Sequence, residues 1–253
     1  MTFSEPKFLV RLARNDHEIR AAQRLRYDIF VRELGGDGPM VDHAAQIETD
    51  RFDCYADHLL LIDSALPDEP VVGVYRLLPD DRAKAAGQFY SENEYDLSPL
   101  RKSGLRLLEL GRSCLHPDYR GGVAMYHMWQ ALARYVEKHD LQVLFGVASF
   151  HGTNVASLAH PLSQLHDRHL APPELRVRAH EYTAMNLLST DAIERRRAAV
   201  ETPALIKGYL RLGGFVGDGA YVDHAFNTTD VCLILDTKRM NARQRSIYTG
   251  ERA

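Results

Sequence analysis

The stretch LRLLELGRSCLHPDYRGG, residues 105–122, constrains the fold of this chain more than any other. Residues 105–115 read as a long strand whose single interior glycine, Gly111, invites a bulge. His116-Pro117-Asp118 ends that strand, and Gly121-Gly122 leads into a helix predicted over 123–138. A strand that turns through glycines into a helix presents helix-start N–H groups, which favour an anionic group. Such a helix needs a sheet to cover its apolar face, and the rest of the chain supplies one.

Residues 7–13 read as a short first strand, and Asp16 is placed to cap a helix over 18–34, where Ile19, Ala22, Leu25, Ile29 and Leu34 recur at helical spacing. Gly35-Gly36 close it. Residues 36–53 are polar and read as a loop beside a site. Two hydrophobic runs, 58–63 and 71–77, flank the turn-rich SALPDEP and predict a β-hairpin, with a short helix over 80–87. Residues 143–149 form an apolar strand, 153–170 are helical, and Pro172-Pro173 break the chain before an extended excursion over 175–190. Thr190 or Asp191 is expected to cap a charged helix through Arg197. Pro203 opens an apolar helix over 204–212, and strands near 220–223 and 231–235 precede a basic tail.

Strands and helices do not alternate strictly in this order, so a mixed, mostly antiparallel sheet flanked by helices is favoured over a doubly wound one. The 253 residues lie at the upper end of what one core serves. A single domain over 1–253 is expected, with an insertion around 171–202.

A formal net charge of −3 argues against a bulk nucleic-acid binder. Cys54, Cys114 and Cys232 are widely separated with no C-x-x-C pair, as expected of reduced structural thiols in a cytosolic protein. MTFSEPKFLVRLARND lacks the basic-then-apolar order of a signal peptide, and no stretch approaches the roughly 18–20 apolar residues of a membrane span. A cytoplasmic protein, at most peripheral to the inner membrane, is expected. His160, His166 and His169 read as surface or core histidines, and no metal is expected.

Glu109 and Arg112 flank Gly111, three apart on a strand and so nominally on opposite faces, unless the bulge returns them to one side. Arg26 and Phe30, four apart, share a face of the first helix. Asp50 and Asp53 lie in the loop that follows, and Arg76 ends the second hairpin strand. Taken singly, each is an ordinary solvated charge. No Ser-His-Asp or Cys-His arrangement is evident, so no covalent enzyme intermediate is expected.

Taken together, LRYDIFVRELG (25–35), the Asp50-x-x-Asp53 pair, GVYRLLP (73–79) and ELGRSCLHPDYRGG (109–122) resemble the ornithine N-acyltransferases of bacterial ornithine-lipid synthesis. The same elements resemble acyl-homoserine-lactone synthases more distantly. PALIKGYLRLGGFVGDG (203–219) and FNTTDV (226–231) are like the first family and unlike the second, so the resemblance spans roughly residues 8–236.

That resemblance implies an α/β (α+β) chain of the N-acetyltransferase-like (GNAT) fold. It implies transfer of a 3-hydroxyacyl group from acyl carrier protein to the α-amine of L-ornithine, giving a lyso-ornithine lipid, with no tightly bound cofactor. It implies substrate-binding roles for Arg26, Phe30, Asp50, Asp53 and Arg76, and catalytic roles for Glu109 and Arg112. Arg120, Gly121 and Gly122 are expected at the pantetheine phosphate. The lactone synthases have a tryptophan shortly after the first helix, where this chain has Gly35-Gly36, and its sole Trp129 lies later. That departure argues against a lactone synthase using S-adenosylmethionine. Val123 and Met125 break the acetyl-CoA-type pyrophosphate signature, which argues against coenzyme A as the normal donor. Acylation of another amine, and a non-catalytic module that senses acyl carriers, are the alternatives.

Only the neutral form of an amine is a nucleophile, so a base is required, and Glu109 is the expected one. A backbone N–H near 111–115 is expected to meet the oxyanion. Asp50 and Asp53 would bind the ammonium groups of ornithine, and Arg26 or Arg112 its carboxylate, unless these charges simply brace the loop. Acyl carrier protein is acidic, which makes Arg101, Lys102 and Arg106, or Arg195-Arg196-Arg197, docking candidates. The basic run 238–245 is a candidate for contact with anionic lipid.

Overall fold

Leu59, Leu60, Leu61 and Ile62 are all buried, so the strand that carries them is covered on both faces. It belongs to an eight-stranded sheet, described within residues 6–249 of the computed structural model. In chain order the strands are β1 (Phe8–Leu12), β2 (Asp57–Asp63), β3 (Val71–Pro79), β4 (Leu107–Leu115), β5 (Val143–His151), β6 (Phe215–Val216), β7 (Tyr221–Asp223) and β8 (Thr228–Asp236). They lie side by side as β1-β2-β3-β4-β5-β8-β6, with β7 also paired to β8. Every pairing is antiparallel except β4 with β5.

Helix α1 (Asp16–Arg26) covers one face, packing Ala22 and Leu25 against Leu60, Ile62 and Val74. Farther along the same face, Phe89, Leu97, Leu175 and Val177 cover Leu78, Leu107, Phe145 and Ile234. The opposite face carries α2 (Ala124–Lys138), α3 (Ala159–His169) and α4 (Ala204–Arg211), over Leu59, Leu61, Tyr75, Leu108 and Leu110. Among the described residues no helix is long and apolar enough to cross a membrane. All three cysteines are free thiols, Cys114 and Cys232 buried and Cys54 exposed.

Several local expectations are corrected. Asn15, not Asp16, caps α1: its side chain accepts the Glu18 N–H at 3.0 Å, the three-residue reach of an N-cap. The helix does not run on as regular α-helix to Leu34; residues Tyr27–Glu33 form a π-helical turn, which the apolar spacing does not distinguish. Neither Thr190 nor Asp191 caps the charged helix, which starts at Arg195 after a separate short turn at Thr190–Ala192. The polar loop 36–53 contains a miniature ladder, Val41–Asp42 with Ile47–Glu48. The excursion after Pro173 is extended in places: Arg178–Ala179 pairs with Tyr95–Asp96, and Arg178 and Thr183 form single bridges to Asp218 and Ala220. The basic tail ends in a helix, Ala242–Thr249.

The glycine-marked bulge in β4 is present. Pairing with β3 runs Gly73↔Leu115 and Val74↔Cys114, then resumes at Arg76↔Gly111, so Tyr75 faces both Arg112 and Ser113. The residue with left-handed backbone is Arg112, at φ 51°, rather than Gly111. The extra residue shifts the alternation: Leu110 and Leu115 are an odd number apart, yet both join the α2 side of the core.

Candidate active site

β4 and β5 pair for only three residues, Leu107↔Val143, Leu108↔Leu144 and Glu109↔Phe145, and then part. Gly146 permits the close approach at the fork: a Cβ there would stand 2.0 Å from the Leu110 carbonyl oxygen. Beyond the fork lies a cavity of about 260 Å³. Residues 110–113 form one wall and 147–149 the other. Tyr75 and Arg76 both line it although successive strand residues point to opposite faces, so the cavity reaches both sides of the sheet. Phe30, Leu34, Leu205 and Phe226 make much of the remainder apolar.

Behind one wall lies a closed ring of alternating charges. The Arg26 guanidinium donates to Glu48 and, at 2.8 Å, to Asp53. Arg76 donates to Asp53 at 2.9 Å and to Asp50 at 2.6 Å. Arg112 completes the circuit, reaching Asp50 Oδ2 at 3.3 Å and Glu48 Oε1 at 3.0 Å. Three arginines thus meet three carboxylates, with no net charge. Gln23 and Thr49 add donors to Asp53 Oδ2 at 3.0 and 3.1 Å. Burial alone would raise the Asp50 and Asp53 carboxyls, but the neighbouring guanidinium groups outweigh it and hold both below the ordinary range. The bulge turns the Arg112 side chain onto the face that carries Arg76, where it also stacks over Tyr90 at 4.5 Å.

The ring separates the expected site residues into two groups. Arg76, Arg112, Glu109 and Phe30 line the cavity. Arg26 is sealed, at 0% exposure, and Asp50 and Asp53 spend their oxygens on arginines. The structure therefore has these three bracing the loop against α1 and β3. Glu48 belongs to the same ring, and a lone glutamate in a polar loop gives the sequence no signal for it.

Glu109 sits at the fork with both oxygens occupied. Oε2 accepts the Tyr90 N–H at 2.8 Å; Oε1 accepts the Ser91 N–H at 2.6 Å and the Ser91 hydroxyl at 2.5 Å. Burial raises its pKa, against the pull of those donors and of Arg76. A carboxylate has about four acceptor positions, so one remains open toward the cavity it lines. Across the cavity Asp223 and Asp230 supply further carboxylates that the sequence reading did not single out. Asp230 is 4% exposed and lies mid-strand in β8, where all nine residues are buried. A charged residue inside so apolar a run, TTDVCLILD, is the signal that would have found it.

Arg120 does not face an open anion site; it forms a two-toothed pair with Glu33, at 2.5 and 2.7 Å, and holds the Leu115 carbonyl. Gly121 and Gly122 have nothing within 4 Å of where a Cβ would sit, and α2 starts just after them without a side-chain cap. Of the basic clusters, Arg101 pairs with Glu92, Arg106 with Asp140 and Arg197 with Glu201. In the tail, Arg239 pairs with Glu174 and Asp236. His160 is engaged by the Glu194 N–H.

Comparison with known proteins gives this arrangement its kin. Residues 25–130 match the family model described as acetyltransferase (GNAT) domain. Over 243 residues the chain is 58% identical to the L-ornithine N(alpha)-acyltransferase of Rhodobacter capsulatus, covering 95% of this chain and 94% of that one. Among solved structures it superposes on FeeM, an N-acyl amino acid synthase from uncultured soil microbes, with a TM-score of 0.55 at 12% identity, covering 93% of both chains. It likewise matches the acyl-homoserine-lactone synthase LasI, with a TM-score of 0.52 at 16% identity, covering 97% of this chain and 96% of that chain. At such identities the structural matches speak to fold alone. They agree with the expected GNAT fold and its mixed, mostly antiparallel sheet.

Proposed function

Because the chain belongs to the family of L-ornithine N(alpha)-acyltransferases and is an acyltransferase of the GNAT fold, we propose that it moves a 3-hydroxyacyl group from acyl carrier protein to the α-amine of L-ornithine. The observation that carries this reading is the cavity at the β4–β5 fork, with apolar side chains along much of its lining and carboxylates and two guanidinium groups at its wall. An acyl thioester needs the apolar lining, and a free amino acid needs charge.

In this reading the α-ammonium approaches Glu109, which takes its proton directly or through one water. The neutral amine adds to the thioester carbon, and backbone N–H groups of residues 110–113, which lack a β5 partner, meet the oxyanion. The C–S bond then breaks, the amide forms, and the thiolate leaves with a proton. Arg112 and Arg76 are the guanidinium groups within reach of the amino-acid carboxylate, since Arg26 is sealed. Gly121 and Gly122, open at the start of α2, offer backbone to the pantetheine phosphate, with Arg120 shaping the turn through Glu33. The exposed Arg195 and Arg196 stay candidates for docking an acidic carrier, and the basic tail for touching the membrane that receives the product.

Mixing the protein with 3-hydroxyacyl carrier protein and a pool of amino acids, then reading products by mass spectrometry, tests this. Acyl-ornithine is the expected product. An acyl-homoserine lactone, acylation only from coenzyme A, or no product at all would each overturn a different part of the proposal. Glu109→Gln should lower kcat about 100-fold or more, with the ascending limb of the pH profile lost. An unaltered profile would remove Glu109 from the base role.

A further inference from the structure

The cavity is also lined by acidic side chains, Asp223 and Asp230, that form no ion pair among the described residues. We propose that Asp230, backed by Glu94, seats the side-chain ammonium of a dibasic amino acid and thereby selects it over amino acids of equal length with an uncharged side chain. This rests on the acylation of a free amino acid argued above and names how that amino acid is chosen.

Asp230 lines the cavity, is 4% exposed, and its Oδ1 has no hydrogen-bond partner. Glu94 is 3% exposed, and its Oε2 is likewise unpartnered. The two are held together by the neighbouring Tyr95, whose hydroxyl donates to the Asp230 carbonyl at 3.0 Å. Ser149 and Thr228 hydrogen-bond the Asp230 carboxylate and pull its pKa down, but an open buried oxygen is still costly, and proteins normally pair such groups or neutralise them. The charged groups around this pair are Asp223, Glu109 and Arg112, and Arg112 is already shared between Glu48 and Asp50. Burial, and the repulsion of the acids for one another, raises Glu94 well above its ordinary range and Asp230 to about 6. An arriving ammonium would satisfy the open oxygens and reverse that repulsion. Ornithine carries two ammonium groups and one carboxylate. The cavity presents Glu109 to one ammonium, Arg112 and Arg76 to the carboxylate, and Asp230 to the other ammonium.

Steady-state kinetics with a 3-hydroxyacyl carrier protein and two acceptors, L-ornithine and L-norvaline, reads this directly, since norvaline keeps the carbon chain and lacks the terminal amine. The native protein should prefer ornithine by about 100-fold or more in kcat/KM, as expected when a polar site is left unmatched. Asp230→Asn should cut that preference about 10- to 100-fold, mostly through the KM for ornithine. Glu94→Gln should cut it by less, and carries the same test if the first variant fails to fold. An unchanged ratio in both variants overturns the proposal, as it would if the two acids merely shared a proton. Equal losses of kcat on both acceptors also overturn it, placing Asp230 at the reacting amine. A native protein that acylates ornithine and norvaline equally sinks this inference alone; one that acylates neither sinks the proposed activity.

Discussion

The ring of Arg26, Glu48, Arg112, Asp50, Arg76 and Asp53 and the wall of Glu94 and Asp230 bury charge to a similar depth, and both neighbour Arg112. In the ring every carboxylate meets two arginines and the charges cancel. In the wall each of two neighbouring carboxylates keeps one open oxygen, and burial pushes both toward the protonated form. The contrast separates carboxylates that are matched within the chain from carboxylates that await a cation. A structural cluster is complete within the chain, whereas a binding cluster is left with a specific debt of opposite sign.

The severest way to break this distinction is Asp53→Ala. Removing one member leaves Arg26 and Arg76 buried beside too little negative charge, at a cost of about 3–5 kcal/mol. For a chain of this size that is a fall in Tm of roughly 6–20 °C, measured by calorimetry. Asp50 and Asp53 are held below their ordinary range, so their contribution is fully present above the unfolded-state value near about 4 and is lost as pH falls through the lower folded-state values. Native protein should therefore lose stability steeply in acid, and the Asp53→Ala variant less steeply. A drop under about 1 kcal/mol would make the ring ornamental.

The wall should respond with the opposite sign. Asp230 has a raised folded-state value of about 6, so the proton it binds on folding favours the native state at low pH. That favour is lost as pH rises through about 6. Asp230→Asn keeps the shape and removes the ionisation. In the absence of substrate it should be about 1–3 kcal/mol more stable than native protein at pH 8, with the gain vanishing toward pH 4–5. Urea unfolding at the two pH values decides it. A variant less stable at both would mean that Asp230 is already satisfied and that the two clusters do not differ.

Much of this frame is legible in the sequence because it is written in periodicity and punctuation. The hairpin over Leu59–Ile62 and Val72–Leu78, the helix over Ala124–Lys138 and the bulge at Gly111 follow from alternation, helical spacing and one misplaced glycine. The resemblance located Arg76, Arg112 and Glu109, and the structure brings them to one cavity. It could not tell lining from bracing, because whether Arg26 or Asp53 lines the cavity depends on what folds over it, and Arg26 is fully buried. Glu48 and Glu94 sit in polar runs where a glutamate is unremarkable, and their role exists through partners distant in the chain, such as Arg26 and Arg112 for the first and Asp230 for the second. The π-helical turn at Tyr27–Glu33 leaves the apolar spacing unchanged, so it too is invisible in one dimension.

The mildest change is also the finest probe of how the ring is held. Thr49 donates its hydroxyl to Asp53 Oδ2 at 3.1 Å and accepts from Gln23 at 3.1 Å. Thr49→Val keeps the volume and removes both bonds while leaving every ion pair intact. If the alternation of charge is what stabilises the ring, this variant should lose about 1 kcal/mol, the worth of an ordinary hydrogen bond, or roughly 2–4 °C in Tm. Gln23 keeps its direct bond to Asp53 at 3.0 Å, so the carboxylate stays anchored. Should Thr49→Val instead cost as much as Asp53→Ala, the neutral donors would be what fixes Asp53 between its two arginines, and the ion pairs would follow from that placement.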